Sequence, residues 1–112
     1  MDQFIPVVVI KELEEVDKIE IVATSGDIEI DKINNYVNIN TTSGDIDINN
    51  LTILENSRIK VVSGDVSIYK ASDDIYYDTK VTSGDVKINN NNRHANYELK
   101  IETTSGDIEV KN

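Results

Sequence analysis

One tripeptide recurs five times in this chain and takes every glycine with it. Ser-Gly-Asp stands at Ser25-Gly26-Asp27, Ser43-Gly44-Asp45, Ser63-Gly64-Asp65, Ser83-Gly84-Asp85 and Ser105-Gly106-Asp107. Successive copies are 18, 20, 20 and 22 residues apart. Each copy leads into the same alternation: Ile28-Glu29-Ile30, Ile46-Asp47-Ile48, Val66-Ser67-Ile68, Val86-Lys87-Ile88 and Ile108-Glu109-Val110. Self-similarity at such a period marks a repeat architecture, in which each unit buries its apolar face only by stacking on its neighbours.

The columns of the repeat define its geometry. With the motif serine as zero, minus four holds Ile21, Ile39, Ile59, Thr79 and Ile101, and minus two holds Ala23, Thr41, Val61, Val81 and Thr103. Plus three and plus five are Ile or Val in all five copies. Period two on both sides of the motif means two short strands, each with one face inward. The apolar phase slips by one at Gly-Asp, which places a corner there. Ile33, Leu51 and Ala71 share plus eight and suggest a third short side; the fourth copy has Asn91 there, followed by a looser loop through Asn96. The fold predicted is all-β, a single-stranded parallel β-helix (β-solenoid) of about five coils of 18–22 residues, roughly triangular in section. An antiparallel sandwich also uses short, regularly spaced strands. It needs a reversal signal at every turn, whereas here one glycine per coil always falls in the same phase.

The ends complete the layout. Residues 1–17 read as an N-terminal capping strand and charged turn, and 18–112 as the solenoid. Pro6 suits an edge strand. Lys11 to Lys18 is charged, and Leu13 and Val16 are three apart, as in a single helical turn. Beyond Val110 the sequence shows no polar cap, so the C-terminal coil is expected to offer a bare edge.

Composition narrows the function classes. The formal charge of -10 over 112 residues opposes nucleic acid and anionic membrane as partners. The longest apolar run, Phe4 to Ile10, is too short to span a bilayer and lacks a basic leader. With no cysteine there is no disulfide framework or thiolate metal site.

The corner residues have separate tasks. Gly allows positive φ and close approach of stacked backbones. Ser is small, and Asp bonds nearby backbone N–H groups. Stacked coils bring the five Asp carboxylates into one column, where they repel. Backbone amides offset this, or a hard cation does. Ca²⁺ takes six to eight oxygens, and one Asp per coil is a weak match, so no cofactor is expected.

The series Thr24-Ser25-Gly26-Asp27-Ile28-Glu29-Ile30, Val62-Ser63-Gly64-Asp65-Val66, Thr82-Ser83-Gly84-Asp85-Val86 and Thr104-Ser105-Gly106-Asp107-Ile108-Glu109-Val110 resembles the adhesin-type, toastrack-like repeat domains of bacterial envelope-associated proteins. The resemblance covers about Lys18 to Asn112. It implies a β-solenoid and a cell-envelope or extracellular setting if the chain is part of a longer exported protein; otherwise the setting is cytoplasmic.

Catalysis is not expected. His94, the one histidine, lies in the Asn-rich loop, and the motif serines have no His within their repeat. Two function classes follow. One is a surface- or protein-binding module presenting a flat polar face (Asn38, Asn40, Asp47, Asn49, Ser67, Tyr69 and Lys87) to a protein or glycan; Tyr76 and Tyr97 join the exposed set, while Tyr77 falls in an inward column. The other is a bactofilin-like assembly module, a homo-oligomer joined through the C-terminal coil edge.

Overall fold

The computed structural model describes residues 2–5, 13–72, 74–89 and 91–111. Ten strands follow in order: β1 Asp2–Ile5, β2 Leu13–Ser25, β3 Ile28–Ser43, β4 Ile46–Leu51, β5 Ser57–Ser63, β6 Val66–Ile68, β7 Ile75–Ser83, β8 Val86–Ile88, β9 Tyr97–Ser105 and β10 Ile108–Val110. Every pairing is parallel. The chain is an all-β parallel solenoid.

Two long sides carry the pairing. Before each corner, 19–25, 37–43, 57–63, 97–105 and 75–83 stack side by side. After it, 28–33, 46–51, 66–68, 108–110 and 86–88 do the same. The apolar columns of both sides meet in one core, from Ile19 and Ile21 through Ile59 and Ile68 to Ile101 and Val110, all about fully buried. A shorter third side follows in the first three coils, where Ile33 pairs with Leu51 and Leu51 with Ala71, and Thr52 N–H donates to the Ile33 carbonyl at 2.9 Å. The Cα extents are 35 × 35 × 18 Å. The third short side expected from plus eight is thus present where Ile33, Leu51 and Ala71 stand, and it lapses in the fourth coil, where Asn91 turns to Tyr77 instead.

The rungs do not stack in chain order. β5 pairs with β9, and β9 with β7; likewise β6 pairs with β10, and β10 with β8. The chain leaves the third coil, builds the fourth one layer too high, and returns to fill the gap with the fifth. Leu99, Ile101, Ile108 and Val110 of the fifth coil are at most 1% exposed. Val81 and Ile88 of the fourth are half-buried, and Val86 is 42% exposed. The fourth coil is the one with Thr at minus four and Asn at plus eight. The order covers the fifth coil on both edges, where Ile101 and Ile108 gain full burial, and leaves the coil with Thr79 and Asn91 at the end.

This order corrects the reading of the C-terminal edge. Both strands of the last coil are paired on both edges, so that coil has no bare edge to offer. The start of the chain is also corrected. Residues 13–18 belong to β2, with Leu13 in register with Ile30 and Val16 with Ile33, so the helical turn inferred from their spacing is absent. β1 lies against Lys18–Ile21. Pro6, Lys11 and Glu12 lie outside the described residues.

Candidate functional site

The Ser-Gly-Asp corners form one continuous column in the order of the rungs: the first, second, third, fifth and fourth copies. Ser25, Ser43, Ser63, Ser105 and Ser83 are successive register partners. The glycines have φ between +116° and +149°. At Gly64 a Cβ would lie 2.0 Å from the Gly44 carbonyl oxygen, and at Gly84 it would lie 1.9 Å from that of Gly106. No side chain fits such an approach, whatever its φ.

The aspartates solve a backbone problem at this bend. Gly44 N–H donates to the Ser63 carbonyl (3.1 Å) and Ile46 N–H to the Asp65 carbonyl (2.8 Å), so these peptides are paired rung to rung. The Asp N–H between them faces the preceding rung and meets no carbonyl there. It donates instead to the preceding Asp side chain: Asp45 to Asp27 Oδ1 (3.0 Å), Asp65 to Asp45 (3.0 Å), Asp107 to Asp65 (2.9 Å) and Asp85 to Asp107 (2.9 Å). Each carboxylate below the end rung is thus spent on a backbone amide. Among the described residues, no group of three or more His, Cys, Asp or Glu is placed to hold a metal ion.

The residues read as one flat polar face divide between two. Asn38 and Asn40 lie on the outer side of the sheet before the corner; Asp47, Asn49, Ser67, Tyr69 and Lys87 lie on the opposite face, after it. Gly-Asp turns the chain from one set of paired strands to the other, so outward positions before and after it belong to different faces. Tyr76 and Tyr97 are half-buried, and Tyr77 is 2% exposed.

The two faces differ electrically. After the corner, Asp27, Glu29, Asp45, Asp47 and Asp65 lie in adjacent rungs. Partial burial holds the Asp47 carboxyl above its ordinary value, and repulsion from Asp45, Asp27 and Asp65 adds to this; the Tyr69 hydroxyl at 3.5 Å works the other way. Before the corner, Arg58 is in register with Lys100, and Lys60 and Lys80 flank Glu102 on either side. Arg58 Nη2 reaches Glu102 Oε1 at 3.4 Å. Shallow grooves run between these side chains, lined by Asn38, Asn40, Arg58 and Lys60, and by Lys60, Lys80, Thr82 and Glu102.

The end of the stack is the remaining feature. Among the described residues, β7 and β8 have a strand on one edge only. Asn91 closes part of the other edge. Its Oδ1 accepts the Tyr77 N–H at 2.9 Å, and its Nδ2 donates to the Tyr77 carbonyl at 3.1 Å, as a neighbouring strand's peptide would. The loop is held further by Asn96, whose N–H and Nδ2 donate to Asp74 at 2.8 and 2.9 Å and lower the Asp74 pKa. His94 is exposed in this loop, its N–H bonded to Asn92 Oδ1. Asn91 at plus eight was the visible signal for this cap; its partner on β7 was not visible, because fourteen residues separate the two.

A stack of parallel rungs turned at a glycine corner defines a β-solenoid repeat module. Residues 8–112 match the family model Toastrack DUF4097, and the chain belongs to that family. No curated protein and no solved structure matches it significantly. No helix of the described residues is long and apolar enough to cross a membrane.

Proposed function

We propose that the chain is a non-catalytic binding module, adhesin-like in role, in a bacterial protein, and that it contacts its ligand through the outer face before the corner. The observation that supports this is the cluster Arg58, Lys60, Lys80 and Lys100 around Glu102 in a chain of net charge -10. The opposite face repels polyanions, so an anionic glycan or an acidic protein segment would be steered to this side alone. The test is calorimetric titration with hyaluronate, with neutral dextran as control. Saturable binding that weakens with salt and is lost in the Lys60→Glu/Lys80→Glu variant is expected. Hyaluronate binding that ignores the charge reversal, or no binding at low salt, overturns the glycan reading.

A second reading is favoured by the free edge of β7 and β8. In it the module assembles end to end, as bactofilin-like solenoids do, with the fourth coil rather than the C-terminal coil at the joint.

A further inference from the structure

In the second, third and fifth coils the same backbone groups point up the stack. The corner glycine N–H donates to the serine carbonyl above, as Gly106 does to Ser83 at 3.0 Å. The plus-three N–H donates to the aspartate carbonyl above, as Ile108 does to Asp85 at 2.9 Å. The plus-five carbonyl accepts from above, as Val110 does from Asn89 at 3.1 Å. On the end rung the equivalent groups are Gly84 N–H, Val86 N–H and the Ile88 carbonyl, and none has a partner among the described residues. The Asp85 carboxylate likewise has no amide above it, while its own N–H is held by Asp107.

We infer that this edge docks a second copy of the chain about a two-fold axis through Val86, with β8 antiparallel to β8 of the other copy. This rests on the assembly reading above and names its interface. Two identical edges meet only about a two-fold axis, and so only antiparallel. Centring the axis on Val86 aligns Gly84 with Ile88 of the other copy, and Val86 with its own counterpart. The unpaired groups then match: Gly84 N–H to the Ile88 carbonyl, and Val86 N–H to the Val86 carbonyl, each twice by symmetry. Between them Asp85 faces Lys87, again twice, at the short spacing of a non-hydrogen-bonded pair. Both side chains are exposed in the single chain. The 42%-exposed Val86 side chain is covered by its counterpart. Asn91 already occupies the edge at Tyr77, which confines the contact to the corner side of the coil and makes the dimer weak and concentration-dependent.

Sedimentation equilibrium of the full chain over a concentration series tests this. A monomer–dimer equilibrium is expected, limited to two copies. Asp85→Lys and Lys87→Asp should each weaken it about tenfold, since two attractive pairs become repulsive. The double variant should restore it, and circular dichroism melts would show all variants folded. Association indifferent to the single swaps, or not rescued by the double one, overturns this interface while leaving assembly itself standing. A monomer at every concentration overturns both.

Discussion

The fourth and fifth coils carry the same corner and the same alternation, yet one ends the stack and the other is clamped inside it. Their sequences differ at all four shared columns: Thr79, Val81, Val86 and Ile88 stand where Ile101, Thr103, Ile108 and Val110 do, and Asn91 occupies a position that earlier coils give to Ile33 or Leu51. Those differences coincide with a reversal of chain order. In this solenoid, place in the stack follows what each coil gains by being covered on both edges rather than when it leaves the ribosome. The polar coil then manages the exposed end with an asparagine that imitates a strand.

Four outcomes would break or sharpen this contrast. The largest should come from Gly106→Val, whose Cβ would lie 2.0 Å from the Gly64 carbonyl oxygen in a rung that cannot move aside. A loss of about 3 kcal/mol or more is expected in urea unfolding. Gly84→Val meets an equally close oxygen but sits on the end rung. Its damage should stay local, seen as faster amide exchange in β7 and β8 with the other strands still protected. Global loss in both would mean that the end coil is integral to the fold.

Next in size, Ile101→Ala should cost about 2–5 kcal/mol as a buried large-to-small change, and Val86→Ala less than about 1 kcal/mol. Equal costs at dilute concentration would contradict the burial difference. A smaller contrast lies in the carboxylate column. Asp107→Ala leaves the Asp85 N–H without its acceptor and should cost about 1 kcal/mol. Asp85→Ala removes a carboxylate that accepts no amide from a further rung, so its melting temperature should hardly change.

The smallest effect is expected far from the end coil, at Asp47. Its raised pKa means that ionisation is harder in the folded chain than in the unfolded one. The penalty is full above the folded pKa and fades as pH falls towards and below the ordinary 3.8. Asp47→Asn should therefore stabilise at pH 7 by about 0.5 kcal/mol or less, with no gain at pH 3. A gain that persists in acid would assign the effect to something other than charge.

Much of the architecture was legible. Five glycines in one phase, with Ile and Val alternating on both sides, sufficed for a parallel solenoid, because few folds use a single stereotyped corner per coil. Three expectations failed for identifiable reasons. Leu13 and Val16 have helical spacing, but β3 offers them a register and a lone turn of helix has none of that pairing. The bare edge expected at the C-terminal coil lies on the fourth coil instead, because the fifth is paired on both sides. The polar residues taken as one surface lie on two, because an alternation pattern tells inside from outside and is silent on which outside. The basic cluster was missed for a related reason: Lys60 and Lys80 share minus three and Arg58 and Lys100 share minus five, but only the rung order sets Arg58 beside Lys100 and Glu102 between the two lysines.

The sequence by itself determined the rung: its length, its glycine corner, and which side chains enter the core. These depend on local backbone geometry and on period-two alternation, which each copy carries in full. Only the tertiary structure decided the order of the rungs, and with it the free edge. Every corner can pair with every other through the same backbone groups, so pairing alone cannot rank the possible orders. The choice falls to burial summed over the whole stack.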